Sequence, residues 1–168
     1  GSLQRVLGLS AVADLPLSIA ERQRHQALRR LQKLTPGIPV DIPVEPLPTR
    51  SKGTLLLLLA EFNESQACFF ALGALRRRAE QVADEAVDAL AEFLQTDGAV
   101  DPWLADQLLL PLSLAAEPSL LRLGRITNHL LTLARIIPLF LAVDIRIEGD
   151  PEGPGLLYVT PGAASPRA

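Results

Sequence analysis

The sequence has 168 residues and a mass of 18.1 kDa, enough for one ordinary domain or two very small ones. Apolar residues make up 48% and charged residues 21%, a balance that excludes an intrinsically disordered chain. The single cysteine excludes a disulfide framework, and a net charge of −3 argues against broad, sequence-independent adhesion to nucleic acid. No run approaches the roughly 18 apolar residues of a membrane span. We therefore expect a chain of a reducing compartment, cytoplasmic or, in a eukaryote, nuclear.

The first ninety-odd residues alternate short apolar runs with helical patterns. In chain order we predict a strand over 5–13, a helix from Ser18, strands over 40–44 and 54–62, and a helix over 79–93. Ser18 and Glu21 match a capping box, in which each side chain bonds the other residue's backbone amide. The continuously aliphatic run 54–62 is typical of a strand buried on both faces. Together these elements predict an α/β domain over residues 1–97.

A second region is predicted over residues 98–168. Asp101 is a favourable N-cap and Pro102 a favourable first helical residue. The helix predicted over 103–114 is apolar almost all round, which indicates burial inside something larger than the preceding domain. The remaining predictions are a strand over 120–123, a helix over 129–141 bent near its end by Pro138, hairpin strands over 143–148 and 156–160, and a frayed tail over 161–168.

Three side chains share one face at the start of the helix over 103–114. Spacings of three and four residues place Trp103, Asp106 and Gln107 together. An indole face beside a carboxylate and an amide could stack a purine and bond its edge or ribose, close to helix amides that favour an anion. The structural alternative is that Trp103 belongs to the core and Asp106 pairs with an arginine.

His129 is the second candidate. It lies at or near a helix start, where an imidazole can act as a base, a ligand or a covalent nucleophile. A structural role is the alternative, and with no other histidine nearby we predict no metal site. The only other histidine, His25, is predicted to be a solvated surface residue. The sequence near His129 is locally basic, which suits phosphate, and its arginines are Arg122, Arg125, Arg135 and Arg146.

These motifs resemble the C-terminal part of RNA 3'-terminal phosphate cyclases. That family carries an aromatic-Leu-Ala-Asp-Gln-Leu-x-Leu-Pro run, as at 103–111, and a His-x-x-Thr motif about twenty residues later, as at 129–132. The runs 12–16, 20–22 and 79–83 resemble the family's insert domain. The resemblance implies a thioredoxin-like insert, followed by part of a domain built from units of two helices on a four-stranded sheet.

The resemblance also implies a reaction. The family uses ATP to convert an RNA 3'-phosphate end to a 2',3'-cyclic phosphate through a covalent histidine-AMP intermediate. His129 falls on the adenylated histidine, Trp103 on an aromatic residue that stacks on adenine, and Asp106 and Gln107 in the nucleotide pocket. A divalent metal, Mg²⁺ or Mn²⁺, and RNA 3'-phosphate ends are the expected cofactor and partner, with no membrane association.

Two departures from the family pattern bear on this expectation. Leu133 stands where the family usually has asparagine after the threonine, which removes a polar group. Family members are about twice as long, so either this sequence is a piece of a longer protein or a separate N-terminal half supplies the phosphate, metal and RNA contacts. The rival hypotheses are a non-catalytic cyclase-like scaffold in RNA or ribosome processing, which would lack the histidine, and a generic α/β interaction domain.

Overall fold

The computed structural model describes residues 1–49 and 51–162, and so leaves out most of the predicted tail. The chain divides into two compact units, Gly1–Gln95 and Thr96–Ala168, and each has its own apolar core. Four α-helices and two β-sheets lie within the described residues. This confirms the predicted mixed α/β class.

The first unit is a five-stranded sheet with two helices. Its elements are β1 (Leu3–Ala13), α1 (Leu17–Leu34), β2 (Val40–Asp41), β3 (Val44–Pro46), β4 (Gly53–Phe62), β5 (Gln66–Leu72) and α2 (Ala79–Leu94). Strand β1 pairs in parallel with β2 and β3 on one side and antiparallel with β4 on the other, and β5 pairs antiparallel with β4. A parallel βαβ unit followed by a hairpin and a closing helix is consistent with the thioredoxin-like arrangement that the resemblance implies.

Three local predictions in this unit are corrected. Helix α1 begins after Pro16, whose carbonyl accepts from the Ile19 amide at 3.0 Å, so Ser18 lies inside the first turn and forms no cap with Glu21. The strand predicted over 40–44 is two short strands, because Pro43 lacks the amide needed to continue the ladder. Strand β5 is absent from the sequence prediction.

Strand β4 is buried on only one face. Leu56, Leu58 and Ala60 are fully buried in the core that the sheet shares with both helices. The alternate leucines point to the opposite face, where they are half-buried, so the expectation of burial on both faces is wrong. Strand register aligns these leucines with apolar neighbours on β1 and β5. We call this surface the outer leucine face; it consists of Leu7, Leu9, Leu55, Leu57, Leu59, Phe70 and Leu72.

The second unit packs two helices on a three-stranded antiparallel sheet of order β6-β8-β7. Its elements are α3 (Pro102–Ser113), β6 (Ser119–Leu123), α4 (Asn128–Ile136), a 3₁₀ turn (Ile137–Leu139), β7 (Val143–Gly149) and β8 (Gly155–Pro161). A single parallel bridge joins Val100 to Leu123. Helix α4 ends earlier than predicted because Pro138 cannot donate to the preceding turn. The predicted hairpin is confirmed.

Helix α3 begins as predicted. The Asp101 carboxylate accepts from the Leu104 amide at 2.8 Å, and Pro102 is the first helical residue. Within this chain Ala105, Leu109 and Ser113 are buried, whereas a stripe of apolar side chains is exposed. That stripe is Trp103, Leu110 and Leu114, with exposed fractions of 44%, 52% and 66%. No helix in the described part of the chain has the length and apolarity of a membrane span.

Candidate active site

Helices α3 and α4 bring Asp106 and His129 into direct contact. The Nδ1 atom of His129 lies 3.0 Å from the Oδ2 atom of Asp106. The carboxylate side chain is 12% exposed, whereas the imidazole is 68% exposed, so the pair has one shielded member and one open to solvent. The alternative in which Asp106 pairs with an arginine is therefore wrong, and His129 is no core histidine.

The contact determines how the imidazole is protonated. An ionised carboxylate only accepts hydrogen bonds, so Nδ1 of His129 must carry the proton that it donates to Asp106. In the neutral ring the other nitrogen, Nε2, then holds a lone pair on the exposed side of the residue. This is the form of histidine that can attack an electrophile.

The second carboxylate oxygen is also occupied. The Thr127 hydroxyl donates to Oδ1 of Asp106 at 2.8 Å. The same hydroxyl accepts from the Leu130 amide at 3.0 Å, so Thr127 is the N-cap of α4. Thr127 was not predicted from the sequence to belong to the site, although a threonine before a helical run is an N-cap signal.

His129 is the second residue of α4. The first amides of a helix have no acceptor within the helix and lie at the positive end of its dipole. A phosphate near His129 would therefore meet backbone donors as well as the imidazole.

Trp103 and Gln107 lie one turn apart on α3, and both are exposed. The alternative that Trp103 belongs to the core is wrong. Asp106, on the same helix, has its carboxylate engaged by α4. The predicted triad thus consists of two exposed side chains and one carboxylate bonded to Thr127 and His129.

The arginines near His129 in the sequence are largely balanced by carboxylates. Arg125 lies 3.4 Å from Glu152, and Arg122 lies 3.7 Å from Asp97. Arg146 lies 3.4 Å from Glu148 and stacks 4.4 Å from the centre of the Tyr158 ring. The local charge is therefore less positive than the sequence suggests.

The two other positions of the histidine motif have local roles. The Thr132 hydroxyl donates to the Asn128 carbonyl at 2.8 Å, one turn back along α4. Leu133 is partly buried and packs against the core of the second unit. Leucine at this position thus adds apolar packing instead of a polar group.

Glu152 supports the loop before α4 and was not singled out from the sequence. Its carboxylate accepts from the Asn128 side chain at 3.3 Å as well as pairing with Arg125. Its amide donates to the Ile126 carbonyl at 2.9 Å. These contacts tie the loop between β7 and β8 to the start of the helix that carries His129.

The described residues contain no group of three or more His, Cys, Asp or Glu side chains arranged to hold a metal ion. The charge at the site comes from Asp106 and the helix start.

Comparison with known proteins identifies the family. The family model described as the RNA 3'-terminal phosphate cyclase (RTC) insert domain matches residues 1–95. Proteins named RNA 3'-terminal phosphate cyclase are similar over most of the chain: 37% identity in Nostoc punctiforme over 88% of this chain, 38% in Methylococcus capsulatus over 88%, and 34% in Thermococcus kodakarensis over 90%. The aligned regions cover 42%, 41% and 43% of those relatives. The chain belongs to the RNA 3'-terminal phosphate cyclase family.

Proposed function

We propose that this chain carries the nucleophile and the adenine pocket of an ATP-dependent RNA 3'-phosphate cyclase. Nε2 of His129 attacks the α-phosphorus of ATP, the bond from that phosphorus to the bridging oxygen of the β-phosphate breaks, and pyrophosphate leaves. The product is AMP joined to His129 through a phosphorus–nitrogen bond. Histidine suits this step because its neutral ring is nucleophilic near neutral pH.

The hydrogen bond between Asp106 and His129 is the observation that carries this proposal. Within the neutral ring it favours the Nδ1–H tautomer, which leaves the lone pair on the exposed Nε2 before attack. After attack the ring is positively charged, and the carboxylate 3.0 Å from Nδ1 stabilises that charge. A generic interaction domain has no need of a half-exposed carboxylate–imidazole pair at a helix start.

The exposed face of α3 supplies the nucleotide pocket in this proposal. The Trp103 ring stacks on adenine, and the Gln107 amide bonds the base edge or ribose. The start of α4 receives the α-phosphate. Asp106 belongs to this pocket through His129, since both of its carboxylate oxygens are already bonded.

The later steps transfer AMP to the RNA end and close the cyclic phosphate. An oxygen of the RNA 3'-phosphate attacks the phosphorus on His129, the phosphorus–nitrogen bond breaks, and AMP passes to the RNA end. The neighbouring 2'-hydroxyl then attacks the RNA phosphorus, releasing AMP and closing the 2',3'-cyclic phosphate. The chain spans 41–43% of the length of the relatives compared above, so we assign RNA binding and any metal ligands to the part of the cyclase that this chain does not cover, and write no step through the metal.

Adenylation with ATP labelled at the α-phosphate tests the nucleophile. The chain is incubated with the labelled nucleotide and Mg²⁺ or Mn²⁺, alone and with the N-terminal half of a similar cyclase added. We expect protein-bound label that is lost in acid, as a phosphoramidate requires. The label should disappear in His129→Ala and persist in His25→Ala, which removes the other, exposed histidine.

The outcomes separate the hypotheses. Label that requires His129 but not His25 supports the cyclase proposal. Label that survives His129→Ala excludes His129 as the nucleophile. No label under any condition, with the N-terminal half present, would favour the non-catalytic scaffold.

A further inference from the structure

We propose that Thr127 is a positioning residue that fixes the Asp106 carboxylate and, through it, the protonation pattern of the His129 ring. The inference deepens the proposed function, on which it rests for its catalytic meaning. Its geometric content concerns only Thr127, Asp106 and His129, all in the second unit.

The threonine hydroxyl has both of its roles filled. Its single proton goes to Oδ1 of Asp106 over 2.8 Å, and its oxygen accepts from the Leu130 amide over 3.0 Å. The Leu130 amide belongs to the first turn of α4, so the direction of the hydroxyl is set by the helix that also carries His129. The orientation of the Thr127 hydroxyl therefore does not depend on contacts from a loop.

Two hydrogen bonds, from Thr127 and His129, fix the orientation of the Asp106 carboxylate. Oδ1 of Asp106 is bonded by Thr127 and Oδ2 by His129, so rotation of the carboxylate would break both bonds at once. The Asp106 side chain is only 12% exposed, so water replaces a lost bond poorly. Removing the Thr127 donor therefore frees Asp106 to turn away from Nδ1.

The consequence for His129 is a change of tautomer. Without a fixed acceptor at Nδ1, the ring is no longer held in the Nδ1–H form, and a share of molecules carries the proton on Nε2. Those molecules have no lone pair at the exposed nitrogen and cannot attack. The alternative is that Thr127 only caps α4, in which case the tautomer does not depend on its hydroxyl.

Three substitutions separate these roles. Thr127→Ser keeps both the cap and the donor. Thr127→Gly removes the donor but remains a tolerated N-cap residue, so α4 should persist. Thr127→Asp keeps a side-chain acceptor for the Leu130 amide but has no proton to donate to Asp106. It takes the place of the glycine variant in the test if that variant fails to fold.

The tautomer is measured by nitrogen-15 NMR of the ring nitrogens at about pH 8, where imidazoles are ordinarily neutral. The chain has only two histidines, and the exposed His25 is an internal reference. We expect the Nδ1–H form of His129 to dominate in the unmodified chain and in Thr127→Ser. In Thr127→Gly and Thr127→Asp its ratio to the Nε2–H form should fall severalfold, with His25 unchanged.

An unchanged tautomer in the two donor-deficient variants, with α4 still formed, would show that Thr127 is only a cap. The measurement needs no ATP, so it is independent of the adenylation result. If the tautomer responds to Thr127 but no variant forms an adenylate, the positioning role stands and the proposed function fails. If adenylation occurs, Thr127→Gly should slow it while ATP binding is unchanged.

Discussion

Trp103 is the single tryptophan of the chain, and its exposure on α3 makes its fluorescence a test of the proposed nucleotide binding. We predict that Trp103→Ala weakens ATP binding by about 1–3 kcal/mol, the usual contribution of an aromatic ring stacked on a base. In the unmodified chain ATP should quench the tryptophan fluorescence. Isothermal titration calorimetry measures the dissociation constants of both proteins.

Two controls accompany this prediction. Trp103→Phe keeps an aromatic face and should recover part of the affinity, whereas Leu114→Ala changes an exposed apolar residue at the C-cap of α3 and should have little effect. Equal dissociation constants for the unmodified chain and Trp103→Ala would remove Trp103 from the proposed pocket.

Gln23 is a buried amide in the core of the first unit. Its Oε1 accepts from the Ser10 hydroxyl at 3.2 Å and the Thr54 hydroxyl at 2.7 Å. Among the described residues its Nε2 has no hydrogen-bond partner. If the amide is rotated by 180°, Nε2 takes the two hydroxyl partners and Oε1 is left without one. The core therefore contains one unsatisfied polar atom.

We predict that Gln23→Met leaves the free energy of unfolding unchanged or raises it by up to about 1–2 kcal/mol. Methionine fills similar space without the unsatisfied atom, whose burial costs about 1–3 kcal/mol. Ser10 and Thr54 keep acceptors without Gln23, because each hydroxyl can give its single proton to a backbone carbonyl instead. Urea unfolding measures the change.

The comparison variant is Gln23→Ala, which removes the amide but leaves a cavity. It should lose about 2 kcal/mol or more, as buried truncations do. A loss of that size in Gln23→Met as well would mean that the amide itself stabilises the fold.

Helices α1 and α2 are joined by a ladder of ion pairs on their exposed sides. Arg22 binds Glu80 through two hydrogen bonds of 2.9 Å, and Arg30 reaches Asp84 and Asp88. The hydrogen bond from Arg22, with a backbone hydrogen bond second, lowers the pKa of Glu80 from 4.5 to about 2. The pair thus favours the ionised form of Glu80 in the folded state.

The sign of the pH dependence follows from this shift. A carboxyl group whose pKa is lower in the folded state stabilises the fold fully above about pH 4.5 and loses that contribution as pH falls toward 2. We predict that Glu80→Gln lowers the unfolding midpoint in urea at pH 6 and that the difference from the unmodified chain shrinks at pH 2.5. Both side chains are partly exposed, so added salt should reduce the effect.

Glu92→Gln is the matched control, because Glu92 is an exposed carboxylate on the same helix. It should show little of this pH dependence. If the unfolding midpoints of Glu80→Gln and the unmodified chain differ by the same amount at both pH values, the ion pair does not account for the loss of stability in acid.

At the scale of elements, sequence patterns located most helices and strands but missed features that depend on neighbours. Strand β5 is apolar on both faces, so it lacks the alternation that marks a half-buried strand. The buried stripe of α1 runs through Ala20, Gln23, Ala27 and Leu31, and an apolar pattern does not assign the polar Gln23 to a core. In both cases tertiary packing overrides the local pattern.

At the scale of the whole molecule, the chain aligns with 41–43% of the length of the relatives compared above. We predict that these 168 residues alone convert little or no RNA 3'-phosphate to the cyclic form, because the proposed RNA and metal contacts lie in the N-terminal half. Gel analysis of a 3'-phosphorylated oligonucleotide measures the product. Robust cyclisation by this chain alone would contradict the prediction.

For the candidate site, the sequence predicted individual residues but not the contact between the two helices. Helical spacing placed Trp103, Asp106 and Gln107 on one helix, and the family motif singled out His129. The contact of Asp106 with His129, 23 residues away, depends on how α3 packs against α4, which no local pattern encodes. Thr127 entered the site only through that packing.

The outer leucine face has a consequence for handling the protein. Both helices of the first unit cover the other side of the sheet, and on the outer leucine face Phe70 and Leu72 of the edge strand β5 are 45% and 57% exposed. Surfaces of this kind promote precipitation at high concentration. A charged residue in place of Phe70, which is 45% exposed, would interrupt this surface within the first unit and make the chain easier to concentrate for spectroscopy.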